Sequence, residues 1–67
     1  MSFSFARKKA GMTQNEVAKV LGVNQSAVSL WESGRNQPRG KQMVKLAKLY
    51  GVTVDELLRE DEKNAES

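Results

Sequence analysis

Apolar side chains recur every three to four positions along most of this chain, and glycines interrupt the pattern at short intervals. That spacing is the mark of amphipathic helices, and no stretch alternates apolar and polar residues as a half-buried strand would. Phe3, Ala6 and Ala10 form the inner face of a first helix over Phe3 to Ala10, which Gly11 ends. Thr13-Gln14-Asn15-Glu16 is a capping box, in which the Thr13 hydroxyl accepts the Glu16 amide hydrogen and the Glu16 carboxylate reaches back. The second helix then runs to about Leu21, with Val17, Ala18 and Leu21 inward, and Gly22 stops it in a left-handed conformation. Asn24 is a good N-cap for a third helix, Gln25 to Ser33, whose inner face is Val28 and Trp31. Gly34 ends it, and Arg35-Asn36-Gln37-Pro38 makes a polar connector. A fourth helix from Arg39 or Gly40 to Tyr50 buries Met43, Leu46, Ala47 and Tyr50, and Gly51 closes it. Thr53-Val54-Asp55-Glu56 repeats the capping box and opens a fifth helix through Leu58 or Glu60. Residues 61–67 hold one alanine as their only apolar side chain, so a disordered acidic tail is expected after a single all-α domain over 1–60.

The junction between the second and third helices carries the most information. So few residues separate them that the two cannot lie antiparallel and must cross steeply, with small Ala18 at the close approach. One face of the third helix is then left uncovered, and it carries Gln25, Ser26 and Ser29. A merely solvated face more often carries Lys and Glu; this one holds short, uncharged hydrogen-bonding groups suited to polar edges.

Length and composition narrow the function. Sixty-seven residues make one small domain, which buries roughly 60% of its unfolded surface. The absence of cysteine and histidine removes disulfides, zinc sites built on those residues and the usual nucleophile and general-base pairs. No enzyme, metal, cofactor or small-molecule substrate is therefore expected. No apolar run approaches the roughly 20 residues that span a bilayer, and MSFSFARKKAG lacks a signal peptide's apolar stretch, so a cytoplasmic protein without membrane contact is expected. The net charge of +3 is unevenly spread: residues 1–54 carry nine basic side chains against Glu16 and Glu32, while 55–67 carry six acids against Arg59 and Lys63. A basic body points to a polyanionic partner, although a lysine-rich solvated surface would give the same charge.

The string ARKKAGMTQNEVAKVLGVNQSAVSLWESGRNQP, followed by LAKLYGVTVDELL, resembles the lambda-repressor/Cro-like, or XRE-type, helix-turn-helix DNA-binding family over about Phe3 to Leu58. A capping box or a glycine turn alone is commonplace; the whole string in this order is specific. The resemblance implies a compact five-helix domain with the third helix in the major groove of an operator. It places Gln25 where a family glutamine makes a bidentate contact with an adenine edge, and Ser26 and Ser29 at further groove-facing positions. Gln14 matches a glutamine that contacts phosphate and can brace the one in the recognition helix. Asn24, Arg35, Asn36 and Arg39 fall where the family runs beside the DNA backbone. Arg7 and Glu32 match a structural ion pair that ties the first helix to the third.

Taken singly, Gln14 and Gln25 would be ordinary solvated glutamines; together, at the two positions where such a domain faces DNA, they favour function. Trp31, on the Val28 face, is expected in the core rather than stacked on a base. Lys8, Lys9, Lys41, Lys45 and Lys48 are expected to be solvated charges lending a diffuse field. Gly40 stands where the family has a large apolar residue, so the first turn of the fourth helix is expected to be loose. Phe5 and Leu49 fall off the inward stripes, and Leu49, Val52, Val54 and Leu58 form a candidate homodimer patch. The resemblance thus implies a transcriptional repressor or regulator reading a palindromic operator as a homodimer, either alone or as part of a longer regulator. An antitoxin or other protein-interaction module sharing the fold is the alternative; the groove face of the third helix favours DNA.

Overall fold

The computed structural model describes residues 2–59, and the tail expected to be disordered lies outside them. Five helices follow one another: α1 (Phe3–Lys9), α2 (Gln14–Leu21), α3 (Gln25–Ser33), α4 (Gly40–Tyr50) and α5 (Val54–Leu58). Among the described residues there is no strand, and no helix is long and apolar enough to cross a membrane.

Capping chemistry sets the helix starts. Thr13 Oγ1 accepts the Glu16 amide at 3.1 Å while the Thr13 amide donates to Glu16 Oε1 at 2.8 Å. Thr53 and Glu56 repeat the exchange at 3.0 and 2.9 Å. Hydrogen bonds from the Thr53 backbone and hydroxyl hold the Glu56 carboxyl below its ordinary range. Asn24 occupies the N-cap position of α3 in an extended conformation, yet its side chain makes no capping bond, contrary to expectation. The first turn of α4 is not loose either. The Arg39 amide donates to Gln42 Oε1 at 3.2 Å, the Met43 amide to the Arg39 carbonyl at 2.7 Å, and the preceding Pro38 is buried.

The helix ends share one device. The amides of Met12, Val23, Arg35 and Val52 each reach back five residues, to the carbonyls of Arg7, Ala18, Leu30 and Ala47. Such a bond needs a left-handed residue just before it. Gly22 supplies it between α2 and α3 at φ 72°, and Gly34 supplies it after α3 at φ 81°.

The core gathers the inner faces of all five helices. Ala6 comes from α1, Val17, Ala18 and Leu21 from α2, Val28 and Trp31 from α3, and Met43, Leu46, Ala47 and Tyr50 from α4. Leu57 of α5 completes it, a core residue that the sequence reading passed over. Trp31 is 4% exposed and so takes no part as a stacking surface. Three expectations need correction. α1 stops at Lys9, and Ala10, expected inward, is its exposed C-cap. Leu49 lies off the main stripe but still packs half-buried against the core, because the chain folds back at Gly51 and covers that side of α4. Val52 and Val54 also pack on the core, so Leu58 is the only large exposed side chain of the expected dimer patch.

Candidate nucleic-acid interface

Gln14 is the first residue of α2 and Gln25 the first of α3, so the two side chains mark the N-terminal ends of two helices. The three-residue turn Gly22-Val23-Asn24 brings those ends together: Gln25 Nε2 donates to Gln14 Oε1. Val23 anchors the turn by packing half-buried on the core. The unpaired amides of a helix N-terminus and its partial positive charge suit an anion, and here two such ends lie within one glutamine pair of each other.

The pair is tied inward. Gln14 Nε2 donates to Glu32 Oε1 at 2.8 Å. Glu32 Oε2 accepts from Arg7 Nε, and Oε1 also accepts from Arg7 Nη2 at 3.2 Å. Arg7 Nη1 donates to the Met12 carbonyl at 2.9 Å, at the end of α1. The result is an unbroken chain of hydrogen bonds from α1, through the C-terminal turn of α3 and the start of α2, to the first residue of α3. Its inner members are sheltered, with side-chain exposures of 13% for Arg7 and 9% for Glu32, while Gln25 is exposed. The Glu32 hydrogen bond raises the Arg7 pKa further above its ordinary value. Burial, reinforced by the Glu32 charge, pushes the Tyr50 phenol up to about 12.

The other residues expected to contact DNA are exposed, with the exception of Ser29. Asn24 and Ser26 are exposed beside Gln25. Ser29 is half-buried, because it shares the helical stripe of Val28 and Glu32. After α3 the Leu30 carbonyl accepts from Ser33 Oγ at 3.0 Å and from the Arg35 and Asn36 amides at 3.1 and 3.3 Å, which fixes where the connector starts. At the other glycine ends the residue after the glycine (Met12, Val23 or Val52) packs half-buried against the core. At α3 that position is Arg35, and it is exposed. Asn36 is exposed and accepts the Gln37 amide at its Oδ1, 3.0 Å away; Arg39 is exposed at the start of α4. Among the described residues no group of acidic side chains could hold a metal ion.

The structure thus brings Arg7, Gln14, Gln25 and Glu32 into one network and leaves Asn24, Ser26, Arg35, Asn36 and Arg39 exposed. Sequence reasoning missed the Gln14–Glu32 bond and the Met12 carbonyl. The first had a signal: Gln25 and Glu32 are seven residues apart, two helical turns along one face, so a side chain that meets one can reach the other. The second had none, because a backbone carbonyl is anonymous in sequence.

Two short helices joined by a three-residue turn, the second with an uncovered polar face, define a helix-turn-helix domain. The helix-turn-helix family profile matches residues 5–57, and the chain belongs to that family, among the XRE-type, lambda-repressor-like transcriptional regulators. It is 40% identical over 57 residues to the HTH-type transcriptional regulator ImmR of Bacillus subtilis, covering 85% of this chain and 45% of that protein. It is 38% identical over 56 residues to the HTH-type transcriptional activator BcrR of Enterococcus faecalis, covering 84% of this chain and 28% of that one. With the cryptic phage CTXphi transcriptional repressor RstR of Vibrio cholerae it shares 36% identity over 58 residues, 87% of this chain and 52% of the relative. The chain therefore spans between 28% and 52% of the length of these relatives. No solved structure matches it significantly.

Proposed function

We propose that this chain binds double-stranded DNA sequence-specifically as a transcriptional regulator, with α3 in the major groove. The observation that carries this is the glutamine pair at the converging N-termini of α2 and α3, anchored to a sheltered ion pair yet open to solvent at Gln25. A solvated glutamine has no need of such anchoring. A side chain that must meet a base edge at a fixed angle does, because specificity depends on the site being pre-organised. Gln25 reads a base edge, with Ser26 and Ser29 beside it, and Gln14, Asn24, Arg35, Asn36 and Arg39 hold the phosphates on either side. The regulator names of the relatives include an activator and a repressor. What the family likeness supports is regulation; repression at a palindromic operator, by a homodimer, is our more specific proposal.

Selection of bound sequences from a random DNA pool yields the operator, and the Gln25→Ala variant then tests the assignment. Loss of one bidentate base contact costs about 1–3 kcal/mol of discrimination at a single base pair. Affinity for random DNA stays nearly unchanged, since backbone contacts supply it. Equal losses on operator and random DNA would place Gln25 among the phosphate contacts and overturn the groove assignment.

A further inference from the structure

We infer that Glu32, through Gln14, sets which way the Gln25 amide faces and so makes this domain choose adenine over guanine at the base pair Gln25 reads. The inference rests on the function proposed above. It follows from donor and acceptor chemistry along the chain, whichever way an amide is first drawn. Arginine only donates hydrogen bonds and a carboxylate only accepts them. Glu32, held by Arg7, therefore presents an acceptor to Gln14, which must turn its NH2 toward Glu32, across the 2.8 Å contact. The Gln14 carbonyl is left facing Gln25, which must answer with its own NH2. Gln25 then shows the outside its carbonyl oxygen and one remaining N–H. One acceptor beside one donor matches the major-groove edge of adenine, whose N6 donates and N7 accepts. Gln14 also keeps one N–H to spare, free for a phosphate.

The reverse arrangement would change the message. If Gln14 offered its NH2 to Gln25, the Gln25 carbonyl would turn inward to accept it and both its N–H groups would face the DNA. Two donors match guanine, whose N7 and O6 both accept. Glu32→Gln produces this reversal with almost no change of shape. Arg7 can still only donate, so its closer contact, from Nε, captures the carbonyl of the new amide; the NH2 then stands toward Gln14 at the cost of the longer Arg7 Nη2 contact, and each later amide turns over in sequence. Glu32 is in this sense a positioning residue that never touches DNA.

The test compares binding of the wild type and Glu32→Gln to two DNA sites. One is the selected operator; the other carries G·C in place of A·T at the base pair that Gln25→Ala relaxes. Wild type is expected to favour the A·T site by about tenfold or more, the scale of one bidentate contact. Glu32→Gln is expected to lose that preference or invert it, while discrimination at the other base pairs stays as in wild type. A folded variant with the wild-type ratio, or one that binds both sites more weakly by the same factor, overturns the inference and assigns Glu32 a purely structural role. Should Glu32→Gln fail to fold, Gln14→Met decides. It cuts the chain while leaving the Arg7–Glu32 pair intact, and an unchanged A·T-to-G·C ratio overturns the inference, whereas a severalfold fall supports it. If Gln25→Ala relaxes no base pair, the proposed function fails and this inference with it. If Gln25→Ala relaxes one but neither other variant alters the preference there, only the inference fails.

Discussion

At the residue scale the sheltered side chains of the ion pair define the sharpest expectations. Arg7 meets Glu32 through two nitrogens and the Met12 carbonyl through a third, whereas Lys8, its neighbour, is exposed. Removing one partner of a sheltered pair leaves the other charge without compensation, which costs about 3 kcal/mol. Arg7→Ala should therefore lower the urea midpoint far more than Lys8→Ala, and matching midpoints would show that the pair contributes little. Tyr50 gives a pH dependence. Its phenol moves from 10.0 to about 12 in the fold, because burial and the nearby Glu32 charge oppose ionisation. Its contribution to stability is thus complete below pH 10. Between pH 10 and 12 the unfolded chain loses the proton while the folded chain keeps it, so stability falls as pH rises. The loss is about 2 kcal/mol. Tyr50→Phe removes this ionisation and keeps the buried ring. The variant's stability should hence decline less steeply than the wild type's over that window, as followed by urea unfolding at each pH.

At the scale of elements, helix ends decide more than helix interiors. These helices are five to eleven residues long, too short to be stable alone in water. Capping and core contacts must hold them. α4 shows how much is left to chance at one end: it begins at Gly40, whose backbone is not left-handed, and a methyl group built there meets no atom within 4 Å. Glycine at such a position only adds freedom to the unfolded chain. Gly40→Ala should stabilise the domain by about 0.4–1 kcal/mol, raising the thermal midpoint by several degrees. A lower midpoint would mean that the start of α4 needs glycine for a reason outside its own packing.

At the scale of the whole molecule, charge and symmetry govern how the proposed interface would work. The basic excess of residues 1–54 favours encounter with a polyanion. Arg35 and Arg39 are the two cationic members of the proposed phosphate set. Two neutralised phosphates per protomer give a slope of about −2 for log affinity against log salt on a half-site and about −4 on a palindrome. One α3 spans too few base pairs to single out a site, and the proposed homodimer would place two copies on half-sites about 34 Å apart. Leu58 is the exposed member of the expected contact patch, which makes for a small interface. Dimerisation should hence be weak in solution and cooperative on DNA. If a single chain bound the half-site as tightly as each of two chains binds within the palindrome, the dimer proposal would fail.

Local signals in the sequence were enough to place the helices. Thr13 and Thr53 with a glutamate three residues on, and Gly22, Gly34 and Gly51 after apolar stripes, act within one turn of backbone. Their geometry is therefore written in adjacent residues. The exposure of Gln25 and Ser26 on α3 and the Arg7–Glu32 pair were legible too, the first from periodicity and the second from family likeness. What only the tertiary structure decided involves groups distant in sequence or nameless in it. Leu49 is covered because the chain doubles back after α4, and Leu57 rather than Leu58 turns inward because α5 docks at one angle and not another. Asn24 has the composition of a cap, but its side chain leaves the helix uncapped. The direction of the hydrogen bonds from Glu32 to Gln14 to Gln25 exists only once α1, α2 and α3 are packed, since a glutamine's polarity is set by its neighbours in space and not by its place in the chain.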